Sequence, residues 1–600
     1  MRALSPAVAS FRSVTPVPLR TALRLCALAG YRGLQAQFAL VLAQGLLPVL
    51  GLFAMQWLVD AVAAGLSGRL TAEAAFADAA TAIGIAAGVA LAGNVVRSIH
   101  AVVGETFGRC LSDACAARLQ EHAASLDLAE FDRAAFHDLL HRAGTEASQR
   151  PVRLVQDLMA LGTALVSLVA MAGLLARIEL WLPLVVAAAA VPIAWARARH
   201  ARLRFQWHEQ HPHEQREVGY LGAVLTGRAS AKDLRALRLQ RPFAERLATV
   251  RATLRASLQA LALGRSRDEL LVHTVAGVGL FGAYLYLGHV ALLGGLSIGG
   301  LVLHAQAAQR AQSGVRDLLG ALAGVAEDRL FLRPLVEFLA LEPRLVAVPP
   351  VVEPAPGPVG INADAVGFRY PDAAHEVLRA ISFTLAPGAR VAIVGRNGSG
   401  KSTLVKLLCR LYDPTTGSLS VAGVGLTHMP PERWRQRVAV LLQDATAFEL
   451  TLRENMLLGH PTAAADDTLW RALALVGLAD RVRALPHGLA TPLSRRLPDG
   501  VELSSGELRR LVLARALGQP ADLLLLDEPF ALLDGAAAVQ LANELVQRSR
   551  QQTIVVVDHR TAAVRWVDTV LLLDAGELVA QGSPAELAAE PRFRALFPDW

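Results

Sequence analysis

Val391-Ala392-Ile393-Val394-Gly395-Arg396-Asn397-Gly398-Ser399-Gly400-Lys401-Ser402-Thr403 decides how the last 240 residues of this 600-residue chain fold. A short apolar run reads as a buried strand. A glycine-rich turn follows, and the apolar stretch 404–411 reads as a helix. In that strand–loop–helix context, Gly-x4-Gly-Lys-Ser is a phosphate-cradling loop. Its glycines let consecutive N–H groups curl round phosphate oxygens, and the helix N-terminus adds its dipole. Lys401 supplies a charge for the β/γ-phosphates and Ser402 a hydroxyl for Mg²⁺. Only three residues of the chain are lysine, at 232, 401 and 406, so a lysine at this position is informative. The alternative, a glycine turn that merely caps a helix, leaves the lysine and serine unexplained.

Leu523-Leu524-Leu525-Leu526-Asp527-Glu528 reads as a second buried strand, ending in two carboxylates. Asp527 can hold Mg²⁺ through water, and Glu528 can polarise an attacking water as general base. Strands alternating with helices over 361–600 predict an α/β fold.

Residues 1–360 differ in composition. They carry 34 Lys and Arg against 26 Asp and Glu (net +8), whereas 361–600 carry 25 against 26 (net −1). The chain is 53% hydrophobic and 18% charged, which excludes a disordered chain, a coiled coil or a disulfide scaffold. Cys26, Cys110, Cys115 and Cys409 have neither metal-site nor CxxC spacing. Charge-free runs at 38–59, 79–96, 158–176, 180–196 and 270–309, the last long enough for two, predict six membrane-spanning helices. Pro48, Pro183 and Pro192 fall inside them. Arginine is concentrated in the N-terminal segment and in 97–157 and 197–267, which places both termini and the C-terminal domain in the cytoplasm. This topology accounts for the basic charge without nucleic acid. Mixed charge at helical spacing near 130–142 and 227–246 predicts cytoplasmic helices that need a partner surface. Six prolines between 335 and 360 read as a semi-extended linker. The expected layout is an N-terminal segment with an interfacial helix (1–33), a six-helix membrane domain (34–334), the linker (335–360) and an α/β nucleotide-binding domain (361–600). The acid-free, arginine-bearing first 33 residues would also suit a mitochondrial transit peptide, although the same Ala/Arg/Leu bias runs through the whole chain.

Leu503-Ser504-Ser505-Gly506-Glu507, followed by Arg509-Arg510-Leu-Val-Leu-Ala-Arg515, resembles the LSGGQ signature of ABC transporter ATPases. Gln443 stands at that family's Q-loop position, Tyr370 at the aromatic that stacks on adenine, Asp534 at the D-loop and His559 at the switch histidine. The resemblance covers the chain: six spans before one ATPase domain is the half-transporter layout of type I ABC exporters. It implies an all-α membrane domain joined to a P-loop NTPase with an α-helical subdomain. It also implies ATP and Mg²⁺ as ligands, with Ser402, Gln443 and Asp527 at the metal and Glu528, His559 and Gln443 in hydrolysis. Residues 395–403, Tyr370, Ser504, Ser505, Gly506, Glu507 and Asp534 would hold nucleotide. Two departures stand out: Ser505 and Glu507 replace glycine and glutamine in the signature, and Phe530-Ala531-Leu532-Leu533 replaces Thr-Ser-Ala-Leu.

Family members pair head to tail, with ATP between one P-loop and the opposite signature. The resemblance therefore implies a dimer, and the complete catalytic set a homodimer. Helices near 131–142 and 228–240 resemble coupling helices. The expected location is a bacterial inner membrane, with the mitochondrial inner membrane as alternative. The expected activity is ATP-driven export of a peptide or amphipathic molecule. A lipid flippase of the same fold, or a membrane-bound ATP sensor that moves nothing, are alternatives. The stretch 216–239 resembles exporters of bacterial peptide natural products. About 35 residues precede the first span, too few for a cysteine-protease domain, so a peptide cargo would be processed elsewhere. Asn94, Arg97, His304, Gln306, Gln309 and Arg310 are candidate cavity residues, because polar groups inside a membrane are costly and tend to face cavities. Helix–helix hydrogen bonding is the alternative role for the same residues.

Overall fold

The computed structural model describes residues 17–147, 149–228, 230–444, 446–459 and 465–598. The first 16 residues of the expected N-terminal segment lie outside them. The chain divides into two compact units: Met1–Ala124 with Leu139–Ala340, and Ser125–Asp138 with Leu341–Trp600.

The first unit is helical. A short helix, α1 (Leu19–Cys26), buries Ala22 and Cys26 and leaves arginines outside, as an interfacial helix should. The long helices are α2 (Tyr31–Leu66), α3 (Ala72–Ser125), α6 (Arg150–Leu175), α7 (Leu182–Gln210), α10 (Gln240–Leu292) and α11 (Ile298–Phe331). Between them come α4 (Leu128–Phe131), α5 (Ala134–Ala147), α8 (Pro212–Thr226) and α9 (Ala231–Ala236), and α12 (Arg333–Leu339) follows α11. These six long helices carry the apolar runs read from the sequence, extended beyond them by polar turns. Four of them (α2, α3, α6 and α10) are long and apolar enough to cross a bilayer by length and composition alone. Helix α11 carries too many polar residues to declare itself that way. Pro48 and Pro192 lie inside helices, whereas Pro183 sits in the first turn of α7, where its missing N–H costs nothing. Helices α2, α6 and α11 pack on one another around Leu52, Met171, Leu175, Leu303 and Ala307.

The second unit holds two sheets. Strands β1 (Ile361–Phe368), β2 (Leu378–Leu385), β4 (Thr416–Val421) and β5 (Val424–Gly425) form an antiparallel sheet in the order β2-β1-β4-β5. Strands β3 (Arg390–Gly395), β6 (Val438–Leu441), β7 (Leu523–Asp527), β8 (Thr553–Val557), β9 (Thr569–Asp574) and β10 (Glu577–Gly582) form a second sheet ordered β10-β9-β3-β8-β7-β6. Its inner strands are parallel and β10 is an antiparallel edge. The inner strands read as unbroken apolar runs because both faces are covered. Alternation sorts them. Ile393, Leu523, Leu525, Val555 and Val557 pack with β1, β2, β4 and α13 (Lys401–Leu408). Leu524, Leu526, Ile554 and Val556 pack against helices between 452 and 517.

Two expected boundaries shift. Residues 335–339 finish helix α12, because Leu335 and Phe338 are buried on it, so extended chain begins only after Leu339. From 341 onward the linker is strapped to the second unit. Val348 N–H donates to Thr427 O, Gly357 N–H to Asp522 Oδ1, and Arg437 to Pro354 O and Ala355 O. The segment Ser125–Asp138, expected within the membrane domain, also belongs to this unit. Asp127 Oδ2 accepts the N–H groups of Arg344 and Leu345, Arg344 reaches Glu130 at 3.2 Å, and Tyr412 donates to Asp132 Oδ2.

Candidate active site

The phosphate loop, the two carboxylates, His559 and Gln443 all follow the carboxyl ends of neighbouring parallel strands, β3, β7, β8 and β6. Ligands of open α/β sheets bind at such ends. Gly400, with φ +98°, caps α13. A Cβ there would lie 2.4 Å from Leu378 Cδ2, so only glycine fits. Lys401 folds back over the loop, and its Nζ donates to Gly395 O (2.8 Å) and Arg396 O (2.9 Å). Burial pulls its ammonium below the usual lysine range, opposed by Asp527 and Glu528. Arg396 and Asn397 are exposed at the loop tip. Ser399 is buried and its hydroxyl has no partner. Thr403 lies below, its hydroxyl 3.1 Å from Tyr370 Oη. Lys406, one turn further along α13, places Nζ 3.5 Å from that phenol oxygen and over the ring.

Ser402 Oγ donates to Asp527 Oδ2 at 2.8 Å. Asp527 is buried, and burial raises its pKa against the pull of the Ser402 hydrogen bond. Glu528 has φ +54°, a sparsely populated conformation for a residue with a side chain, held by its N–H on Val557 O at 2.7 Å. His559 Nδ1 stands 4.0 Å from Glu528 Oε1 and 3.9 Å from Asp558 Oδ1. Asp558 is a residue that sequence reading missed. It is buried, and it accepts the N–H groups of His559, Arg560 and Phe530, at 2.7, 3.0 and 3.4 Å. It thus fixes both the turn carrying His559 and the turn after Glu528. Its only signal was a carboxylate directly before the histidine at a strand end. Phe530, a departure from the family pattern, is fully buried near Trp566, so the substitution fills core.

The signature residues open the helix Ser505–Gly518. Ser504 and Glu507 close a capping box: Glu507 Oε2 accepts Ser504 N–H at 2.8 Å and Ser504 Oγ accepts Glu507 N–H at 3.3 Å. Arg481 lies 3.3 Å from the same carboxyl group. These contacts hold Glu507 below the usual carboxylate range, the Ser504 N–H first among them. Glutamate here is therefore explained locally. Ser505 is exposed and Gly506 partly so. Asp534 caps the helix Gly535–Arg548 through Ala537 N–H. Gln443 is exposed, and its carbonyl accepts from Arg509 at 3.4 Å. Among the described residues no hydrogen bond joins Gln443, Asp534 or the signature to the P-loop group.

Mg²⁺ seeks hard oxygen ligands and keeps several waters. The part-buried hydroxyl–carboxylate pair Ser402–Asp527 beside the phosphate loop fits that demand, and Ser399 adds an unsatisfied hydroxyl.

The first unit contains a cavity of about 680 Å³ between α2, α3, α6 and α11. Its polar wall includes Gln37, His100, Gln156, Thr163, Arg310 and Asp317. Of the six residues expected there, only Arg310 lines it. Asn94 and Arg97 hydrogen-bond each other on an exposed face. His304 is buried, its Nδ1 2.7 Å from Gly300 O, and Gln306 and Gln309 lie off the wall. The packing of α11 on α2 and α6 turns 310, 313, 314 and 317 inward instead. On the same helix Gln312 donates to Ala276 O of α10 at 2.8 Å, a helix–helix hydrogen bond.

A phosphate loop with its aligned acid, base and histidine, on an α/β unit preceded by six long helices of which four are apolar enough to cross a bilayer, defines a membrane-bound ATPase. The ABC transporter family model matches residues 378–531. The subtilin transport ATP-binding protein SpaT of Bacillus subtilis is 26% identical over 78% of this chain and 76% of its own length. The mycobactin import ATP-binding/permease protein IrtB of Mycolicibacterium thermoresistibile is 40% identical over 38% of each chain. The ATP-dependent lipid A-core flippase of Bordetella avium is 36% identical over 40% of each. This chain thus spans well under half the length of the last two. A bacterial Atm1-family ABC exporter with ATP bound shares the fold, with a TM-score of 0.76 over 95% of this chain and 98% of that one at 21% identity. Residues 378–531 thus carry the ABC transporter ATP-binding domain, and the chain shares its fold with that exporter.

Proposed function

We propose that two copies of this chain form an exporter that couples ATP hydrolysis to movement of a peptide or amphipathic molecule out of the cytoplasm, in a bacterial inner membrane. The observation that carries the reading is the Ser402–Asp527–Glu528–His559 group beside a complete phosphate loop. ATP phosphates would take Lys401 from the carbonyls it now holds and fill the N–H cradle. Ser402, with Asp527 behind it, would hold Mg²⁺, which neutralises phosphate charge when bound. Glu528 would accept a proton from the attacking water, and His559 would hold its position beside it. The signature helix, preformed by its capping box, would close on the other copy's nucleotide. Ser125–Asp138, seated on the ATPase unit, would pass that closure to the membrane helices.

The relatives' names divide between transport of subtilin, import of mycobactin and flipping of lipid A-core, and the fold shared with an exporter favours outward movement. The polar wall of the cavity favours a polar cargo over a lipid tail. The test is ATP-dependent uptake into inside-out vesicles against a panel of peptides, drugs and lipids, with Glu528→Gln as control. Uptake of a peptide or amphipath that the control lacks supports the reading; uptake equal in both, or of lipids alone, overturns it.

A further inference from the structure

The cavity of the membrane unit has polar groups left over. Gln37 is 2% exposed and lines it, and its Nε2 meets no acceptor. His100, also on the wall, has a buried Nδ1 without a partner. Buried groups of this kind are normally satisfied, so two on one wall point to an absent ligand. The charged groups are equally free. Arg310 and Asp317 make no ion pair among the described residues, whereas Glu105, the other acid on the wall, is taken by Arg109 at 2.6 Å. A cation and an anion thus stand seven residues apart on α11, about 10 Å along the helix axis at ~1.5 Å per residue. That is the length of about three extended residues, at ~3.4 Å each. The cavity volume of about 680 Å³ lies within the usual range for a bound small molecule.

We infer that this cavity binds a short zwitterionic peptide in extended form, its carboxylate on Arg310, its ammonium toward Asp317 and its carbonyl oxygens accepting from Gln37 and His100. The inference rests on the transporter reading and narrows its cargo. Both charges stand exposed on the wall, so an anion alone would leave Asp317 without a counter-charge and a cation alone would leave Arg310 so.

The test uses the full-length protein in lipid nanodiscs and titration calorimetry with tri-leucine, in free form and with both termini blocked. Blocking is expected to weaken binding at least tenfold, since each end loses a charge-assisted hydrogen bond. Arg310→Gln should abolish discrimination between the free acid and its amide, Asp317→Asn that between the free amine and its acetyl form. Gln37→Leu should weaken every peptide. Equal binding of free and blocked peptides to the unaltered protein overturns the proposal, without any variant having to fold. Absence of peptide binding overturns it too. If that protein still hydrolyses ATP and Glu528→Gln does not, the transporter reading stands without the peptide. If neither hydrolyses ATP, the reading beneath has failed as well.

Discussion

Tyr412→Phe removes one oxygen from the seam between Ser125–Asp138 and the ATPase core. Tyr412 is 4% exposed, and its ring packs between Phe368 and Tyr370, with centroids 5.3 and 5.5 Å away. Phenylalanine keeps that packing. Only the hydrogen bond to Asp132 Oδ2 disappears. Burial, together with the neighbouring carboxylate, holds the phenol above its ordinary pKa, so it is a donor at every physiological pH. A hydrogen bond to a charged acceptor contributes about 1.5–3 kcal/mol. Asp132 is exposed and can be rehydrated, which lowers the expected loss to about 1–2 kcal/mol. Undocking of 125–138 should therefore become roughly 5–30 times more frequent. Hydrogen exchange of the full-length protein in nanodiscs measures this directly at the amides of 125–138. Substrate-stimulated ATP hydrolysis should fall in parallel if the segment couples the units. Tyr412→Phe, Asp132→Ala and the double variant close a thermodynamic cycle with an expected coupling of about 1–2 kcal/mol. Exchange at the unaltered rate in Tyr412→Phe, or additive single effects, would refute the reasoning.

Two further outcomes are expected. Thr553 is fully buried; its hydroxyl accepts from Val359 and Gly388 N–H and donates to Val359 O. Thr553→Val should cost about 2–4 kcal/mol, read as a Tm lowered by about 5–15 °C in calorimetry of the full chain. Glu507 has a lowered pKa, so its capping contribution is complete above the unfolded-state value of about 4.3 and is lost as pH falls through the lower folded value. Glu507→Gln should therefore show a smaller loss of thermal stability than the parent when pH is taken from 5 to 3. Identical losses would contradict the capping role.

How much was legible differs between the two units. The phosphate loop and the Leu523–Glu528 strand declare themselves because their chemistry is local: a glycine turn, a lysine and a strand-end carboxylate are set by a few consecutive residues. Tertiary packing hid the rest. Asp558 looks like any acid at a strand end until its three N–H partners are seen. The cavity wall was sought at 304–310, where polar residues begin on the sixth span, but the packing of α11 on α2 and α6 turns 310–317 inward. Gln37 drew no attention because it falls just before the charge-free run that begins at Phe38, outside the stretch read as the first span. The stretch near 130–142 read as a helix in need of a partner, and its part up to Asp138 belongs to the ATPase unit, through Glu130 and Asp132.

The most direct test of the account is ATP turnover by the purified full-length protein and its Glu528→Gln variant in nanodiscs, at saturating ATP and Mg²⁺, with bound ATP quantified in both. Loss of a general base should lower turnover by about 10²–10⁴-fold while ATP remains bound. Equal turnover in the two proteins would contradict the assignment of Glu528 and the hydrolytic cycle built on it.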